Sequence, residues 1–483
     1  MLPKGGTLVF FKETHIFVEN SKLNSDMITT ELIHPKSIVV AGASNNVCKP
    51  GGAVLKNLIE GGFEGELRAI HPKEETVQGV KTYASPHLIP DTDMAVLALP
   101  AALCPDMMEV LAAEKGVKAF VVVSAGFGEV SAQGAEMEQR MVDTACRYGA
   151  TLIGPNCIGM MNTCHQSVFC RPLPQLSERG VDFVSGSGAT AVFIMDNAMS
   201  RGLRFHSVWS VGNSRQTGVE EVLAHLDEGF SEETSSHTLL LYIESITQPE
   251  MLLEHASSLI RKGCRIAAVK AGSSECGSRA ATSHTGAAPI DDVRVDELFR
   301  QAGIVRCYSR SELVTAGCIF SLPRLEKRNI AIVTHAGGPA VMLTDALSKE
   351  GMMVPELRGE AVEELKSRLY DGSAVGNPID ILATGTPEHL AASIDCCEQL
   401  EQVDGIVVIL GTAGLTPMYA MYDVLSEKMR SCSKPVYPVL TSSWAAADEI
   451  GAFLKRGNVR FDDEVLLGTL LARVYRASAN DIR

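Results

Sequence analysis

Val181-Asp182-Phe183-Val184-Ser185-Gly186-Ser187-Gly188-Ala189 and, further along, Asn329-Ile330-Ala331-Ile332-Val333-Thr334-His335-Ala336-Gly337-Gly338-Pro339 follow one pattern. Each reads as a short β-branched strand, a turn of small residues and the start of a helix. These openings predict two copies of a flavodoxin-like unit, the second beginning after the charged linker Pro323-Arg324-Leu325-Glu326-Lys327-Arg328. Further strands are predicted at Phe205–Val211, Thr238–Ile243, Arg265–Val269 and Ile304–Cys307 in the first copy. In the second they fall at Gly405–Leu410, Val436–Leu440 and Asn458–Phe461. Upstream, from Lys36, short strand-like runs recur at Ser37–Ala41, Glu66–Ile70, Met94–Leu99, Ala119–Val123 and Thr151–Ile153. Met137, Met141, Val142 and Ala145 share one helical face before the last of them. Alternating strand and helix signals predict α/β units, each a parallel sheet covered by helices. The expected division is an extension over residues 1–30, a parallel α/β unit over 31–170, and flavodoxin-like units over 178–325 and 326–483.

The composition bounds what such a chain does. Its 483 residues carry 43 Lys+Arg against 58 Asp+Glu, a net charge of −15, with 46% hydrophobic and 21% charged residues. That balance is globular and excludes a mainly disordered chain. An acidic surface is a poor partner for nucleic acid or an anionic membrane, so anionic ligands need local features to hold them. The 13 cysteines are odd in number and include no Cys-x-x-Cys pair, so neither a disulfide framework nor a metal site is signalled. Apolar runs such as Ala119–Val123 are far shorter than the ~18–20 residues of a membrane span. A soluble, cytoplasmic protein is expected.

Gly42-Ala43-Ser44 directly follows the first strand, and Gly51-Gly52 opens the next helix, with Lys49 as a mobile cation beside it. Small residues there let backbone N–H groups approach a phosphate at a positive helix terminus. The run is not Gly-x-Gly-x-x-Gly and does not support an NAD site; it also reads as a plain tight turn. The paired openings offer bare helix N-termini at Ser187-Gly188 and Gly337-Gly338, suited to cradling one phosphoryl group if they converge, and otherwise simple strand-to-helix joints. Between the strand Arg265–Val269 and the helix Asp291–Ala302 lies a small, polar segment, Ala271 to Ala287, predicted to be a long loop and therefore functional. It holds His284, flanked by Ser283 and Thr285. A neutral imidazole is a good phosphorus nucleophile near neutral pH, and its N–P bond stays labile enough to pass the group on. Glu244, at the carboxyl end of the strand Leu239–Ile243, is the candidate carboxylate to orient that ring.

At these residues the sequence resembles the ADP-forming acyl-CoA synthetases, relatives of succinyl-CoA synthetase. The resemblance runs in order from about His34 to the C-terminus: Gly42-Ala43-Ser44, Ser124-Ala125-Gly126-Phe127-Gly128-Glu129, Gly154-Pro155-Asn156-Cys157-Ile158-Gly159 and Ser185–Ala189. It continues through Val211-Gly212-Asn213, Tyr242-Ile243-Glu244, Ser283-His284-Thr285-Gly286-Ala287, Ala336-Gly337-Gly338-Pro339 and Val375-Gly376-Asn377-Pro378-Ile379-Asp380. It implies a Rossmann-like CoA-binding first unit followed by two succinyl-CoA-ligase-type units, with Gly42, Ala43, Ser44, Lys49, Ala125, Gly126, Phe127, Pro155 and Asn156 toward CoA. It implies acyl-CoA, phosphate and ADP interconverting with acid, CoA and ATP. An acyl phosphate would pass its phosphoryl group to His284, with Glu244 stabilising the imidazolium and the turns at Ser187-Gly188 and Gly337-Gly338 holding phosphoryl oxygens. ADP and Mg2+ would sit on a separate ATP-grasp β subunit in an α2β2 assembly.

Departures from the family's usual residues gather at the acyl site. Gly186 stands in place of Gln, His335 of Asn, Ala340 of Gly, and Ser214-Arg215-Gln216-Thr217 of an acidic loop. They lead to the expectation that Arg215 or His335 helps accept an acid with a second polar or anionic group, with Asn213 also placed toward the acyl substrate. The competing readings are a CoA-binding regulatory protein and an acyl- or carbamoyl-transferring relative without a phosphohistidine.

Overall fold

The computed structural model of the protein describes residues 27–285 and 291–480, the side chains of 282–285 and 479–480 excepted. Residues 1–26, most of the expected extension, lie outside that range. The first sheet runs, edge to edge, Thr76–Val77, Val80–Tyr83, Glu66–Ile70, Ser37–Ala41, Met94–Leu97, Ala119–Val122 and Thr151–Ile153. All neighbours are parallel except the first pair. Apart from that short edge strand, this is the doubly wound dinucleotide-fold order, whose switch point falls between Ser37–Ala41 and Met94–Leu97. These central strands are buried along their whole length, and helices on both faces demand near-continuous apolar runs rather than alternation.

The second sheet is ordered Val305–Cys307, Arg265–Lys270, Thr238–Ile243, Leu176–Ser185, Phe205–Ser210, Gly159–Met161, Gln166–Val168. Its five parallel strands have the flavodoxin-like order. The last two form an antiparallel hairpin that precedes residue 170, so the first two units share a sheet across the expected boundary. His165 in that hairpin is fully enclosed and contacts the Leu32 carbonyl (2.8 Å) and the Ser167 hydroxyl (2.9 Å), tying it to the start of the first unit.

The third sheet, Ile379–Asp380, Ile330–Thr334, Gly405–Leu410, Val436–Leu440, repeats that order with fewer strands and is parallel throughout. The expected strand at Asn458–Phe461 is reduced to an isolated bridge between Val439 and Phe461; Asn458 instead donates its side-chain amide to Ser426 and to the Phe453 carbonyl. One apolar core joins Phe183 and Phe205 to Ile332 and Tyr437, with Leu467 and Leu470 of the helix Glu464–Asn480 packed into it. Another joins Ile38 and Val54 of the first unit to Trp209 and Leu241 of the second.

The segment predicted as a long loop before the helix Asp292–Ala302 contains a helix, Glu275–Thr285. Ser274 starts it, accepting the Gly277 amide on its hydroxyl at 3.1 Å and the Ser278 amide on its carbonyl at 2.7 Å. Glu275 pairs with Arg279 one turn on. Small residues read as loop on composition, but Ala and a serine-started first turn suit a helix equally well. Eight of the 13 unpaired cysteines are buried, and burial pushes thiols such as Cys104 up to about 11. Among the described residues no helix is long and apolar enough to cross a membrane.

Candidate active site

Strand order decides what meets the turn after Ser185. Leu176–Ser185 lies beside Thr238–Ile243 in parallel register, Ser185 opposite Tyr242, so Gly186 and Glu244 leave the sheet side by side. The Gly186 amide donates to the Tyr242 carbonyl at 2.9 Å. A Cβ on Gly186 would stand 3.5 Å from the Glu244 nitrogen. The Ser185 hydroxyl donates to the Ser187 carbonyl (2.8 Å) and accepts the Ser187 amide (3.2 Å), closing the turn on itself. Ser187 caps the helix Gly188–Ser200, whose opening amides face outward with a partial positive charge. Gly188 is closely packed there: a Cβ would stand 3.0 Å from the Ile158 side chain.

This turn opens into a cavity of about 840 Å³ between the first and second units, lined by Ser187, Gly188, Glu244, Asn213 and Arg215 on one side and Ala125 and Asn156 on the other. A hydrogen-bonded chain crosses it. The Asn156 side-chain Nδ2 donates to Asn213 Oδ1 at 3.2 Å, and Asn213 Nδ2 donates to Glu129 Oε2 at 2.7 Å. Glu129 accepts the Gly126 amide (2.6 Å) and the Phe127 amide (3.2 Å) on its other oxygen. Burial works to raise the Glu129 pKa, but these hydrogen bonds outweigh it and hold the carboxyl below its usual value. Asn156 takes the left-handed backbone conformation (φ 59°) that Asn tolerates better than most residues.

Glu138 also lines the cavity. One of its oxygens accepts the Gly128 amide at 3.2 Å, and the other is buried without a partner among the described residues. Burial pushes its carboxyl upward. Arg215 stands 4.0 Å from it, so part of that guanidinium's charge is already offset. Glu129 closes the motif Ser124–Glu129 with no role assigned to it there, and Glu138 and Glu220 fall in none of the motifs. A signal existed for Glu138, which falls on the same helical stripe as the buried Met141 and Ala145, where a charge is out of place.

The other expected residues lie elsewhere. Gly42, Ala43, Ser44 and Lys49 occupy the switch point of the first sheet. Gly42 has φ 87°, and a Cβ there would meet the Ala98 carbonyl oxygen at 2.2 Å; one on Gly51 would meet that of Gly42 at 2.1 Å. The helix Pro50–Glu60 is thus pressed against the turn, and Lys49 is exposed at its N-cap. Gln78, unforeseen, clamps the turn by donating to the carbonyls of Ser44 and Gly52, both at 2.8 Å. That tight, glycine-lined cradle with a free cation beside it suits a phosphate-bearing ligand such as CoA. Phe127 and Pro155 are buried behind the cavity wall, and the Gly126 amide is committed to Glu129.

Gly337, Gly338 and His335 lie at the switch point of the third sheet and do not line the cavity. His335 accepts the Gly411 amide at 2.8 Å, and burial holds its pKa below the usual value. The His284 side chain lies outside the described residues. No group of three or more His, Cys, Asp or Glu among the described residues could hold a metal ion.

Residues 36–163 match the CoA binding domain model, and residues 178–320 the succinyl-CoA ligase like flavodoxin domain model. The chain has the fold of the solved dinucleotide-forming acetyl-coenzyme A synthetase 1 of Ca. Korarchaeum cryptofilum: TM-score 0.82 and 24% identity, over 93% of this chain and 96% of that one. It is 32% identical to the alpha subunit of ADP-forming acetate–CoA ligase II of Pyrococcus furiosus over 86% of this chain and 90% of that protein. It is 33% identical to ADP-forming acetate–CoA ligase I of Archaeoglobus fulgidus over 83% of this chain and 58% of that protein. The chain belongs to the ADP-forming acyl-CoA synthetase family, among its α-subunit type.

Proposed function

We propose that this chain is the α subunit of an ADP-forming acid–CoA ligase, interconverting acyl-CoA, ADP and phosphate with a carboxylic acid, CoA and ATP. The observation that carries the reading is Glu244 beside the Ser185–Gly188 turn, at the carboxyl ends of adjacent strands and facing one cavity with Asn156 of the CoA-type unit. The turn's amides and the helix N-terminus hold phosphoryl oxygens. The His284 imidazole nitrogen bonds to phosphorus, the bond from phosphorus to the acyl oxygen breaks, and the carboxylate leaves; the group then passes to ADP. Glu244 orients the ring and stabilises its positive charge. Gly42, Ala43, Ser44 and Lys49 take the phosphates of CoA, while Ala125 and Asn156 line the way to the reacting end.

ADP and Mg2+ belong to a separate ATP-grasp β subunit, in an α2β2 assembly. In support, this chain matches an alpha subunit over nearly its full length but only 58% of the Archaeoglobus ligase. A cytoplasmic location fits 13 unpaired cysteines. The substrate is a small acid without a second negative charge. Glu129, Glu138, Glu220 and Glu244 line the cavity against Arg215, whose nearest carboxylate is already 4.0 Å away, so the expected preference for a second anionic group lacks electrostatic support. His335, outside that cavity, lends it none either.

The test is labelling with ATP carrying a marked γ-phosphate, in the presence of the partner. An acid-labile, base-stable phosphate should appear on this chain and be absent from His284→Ala, with turnover reduced to background. Label persisting in that variant sinks the reading; no label on either protein favours a CoA-binding or transferase role instead.

A further inference from the structure

A second large cleft, of about 610 Å³, lies at the opposite end of the second sheet from the catalytic cavity. It is lined by arginines at or near the amino ends of three strands: Arg179 in Leu176–Ser185, Arg204 just before Phe205–Ser210, and Arg265 at the start of Arg265–Lys270. Arg324, after the helix Arg310–Phe320, completes the set. Gly457 and Val459 of the third unit form the facing wall. The two units touch closely there, since a Cβ on Gly202 would lie 2.3 Å from the Asn458 carbonyl oxygen.

Four guanidinium groups around one cleft are unusual in a chain of charge −15. Acidic partners do not account for them. Arg265 donates to the carbonyls of Phe320 and Leu322, and Arg324 to that of Ser478 at 3.2 Å. Arg179 and Arg204 make no side-chain hydrogen bond or ion pair among the described residues. The Arg204 guanidinium lies against Gly457, where a Cβ would stand 3.5 Å from it. Glu232 and Glu233 are the carboxylates on the lining, and neither pairs with any of the four arginines. Burial lowers the Arg265 pKa, and the neighbouring Arg324 charge adds to it. Four guanidinium charges against two unpaired carboxylates leave the cleft lining net positive and focus that potential into it, and planar guanidinium forks match phosphate oxygens in pairs.

We propose that this cleft is a second anion site, taking a small molecule that carries a di- or triphosphate group, and that the bound anion bridges the second and third units. A volume in the range of small-molecule sites accommodates a nucleotide as well as a bare polyphosphate. The proposal does not depend on the catalytic assignment, because it shares no residue with the catalytic cavity.

Isothermal titration of this chain alone, at low ionic strength, with pyrophosphate, ADP and adenosine tests it. Pyrophosphate and ADP should bind and adenosine should not, with affinity falling as salt rises. The double variant Arg179→Ala/Arg204→Ala should lose affinity about tenfold or more, given two charge-assisted contacts. Binding of ADP without pyrophosphate, lost in the same variant, narrows the ligand to a nucleotide. Undiminished affinity in the double variant, or no binding of either phosphate, overturns the proposal. So does a result in which the variant weakens only association with a partner subunit, which would make the cleft a protein contact. Should the unliganded double variant melt below the parent, the exposed Arg179→Ala alone replaces it, with a smaller loss expected.

Discussion

The turns after Ser185 and after Thr334 are built alike and set in different surroundings. In each, the hydroxyl of the last strand residue donates to the carbonyl two residues on and accepts that residue's amide: Ser185 with Ser187 at 2.8 and 3.2 Å, Thr334 with Ala336 at 2.9 and 2.9 Å. A helix follows at once, Gly188–Ser200 in one case and Gly337–Lys349 in the other. The difference lies in the neighbouring strand. Beside the first turn, Thr238–Ile243 ends in Glu244, and the pair faces a large cavity. Beside the second, Gly405–Leu410 ends in Gly411, whose amide is spent on His335. The shared turn is therefore a scaffold feature, and what distinguishes the two is the group that the adjacent strand places beside it.

The largest effect should come from changing that group. Glu244→Gln should lower turnover about a hundredfold or more, as expected when a positioned carboxylate no longer stabilises an imidazolium. Melting temperature should barely move, because Glu244 is only half buried at a cavity edge. A variant with near-normal turnover in steady-state assays would remove the distinction between the turns.

The two hydroxyls come next. Ser185→Ala and Thr334→Val should each cost about 1 kcal/mol of unfolding free energy in urea titrations, because each breaks a similar pair of hydrogen bonds. Turnover should fall severalfold for Ser185→Ala and stay near normal for Thr334→Val. Equal losses of turnover would mean that both helix termini serve one phosphoryl group.

The smallest effect concerns pH. His335 is held below its usual pKa by burial, against a weaker opposing pull from the Asp380 carboxylate. Below the unfolded value of about 6.5, the unfolded chain binds a proton that native His335 refuses, so this residue makes stability fall as pH drops. His335→Asn should flatten the melting-temperature profile on the acid side of about pH 6.5 and leave it unchanged above. Parallel profiles for parent and variant would show that His335 is not held neutral by the fold.

Much of the architecture was readable because a parallel sheet covered on both faces writes itself as short apolar runs. Ser37–Ala41, Gly405–Leu410 and Val436–Leu440 have the bounds those runs predict. Two elements misled for physical reasons. The segment around His284 is small and polar enough to suit loop or helix, and the helix Glu275–Thr285 prevailed over part of it. Asn458–Phe461 has the look of a strand, but only Phe461 bridges to the sheet. The candidate site was legible where a motif named its residues, as with Glu244 and Ser187. It was not where a residue lines the cavity from a helix face, as Glu138 does.

The sequence by itself determined that the chain builds α/β units with glycine-rich turns at strand ends, because side-chain pattern and backbone freedom are local properties. Only the tertiary structure decided which strand ends stand together. Glu244 joins the Ser185–Gly188 turn, and Asn156 crosses to Asn213, because sheet order and inter-unit packing bring distant segments within hydrogen-bonding reach. The same packing left His335 facing Gly411 and gathered four arginines at the far end of the second sheet, neither of which follows from spacing along the chain.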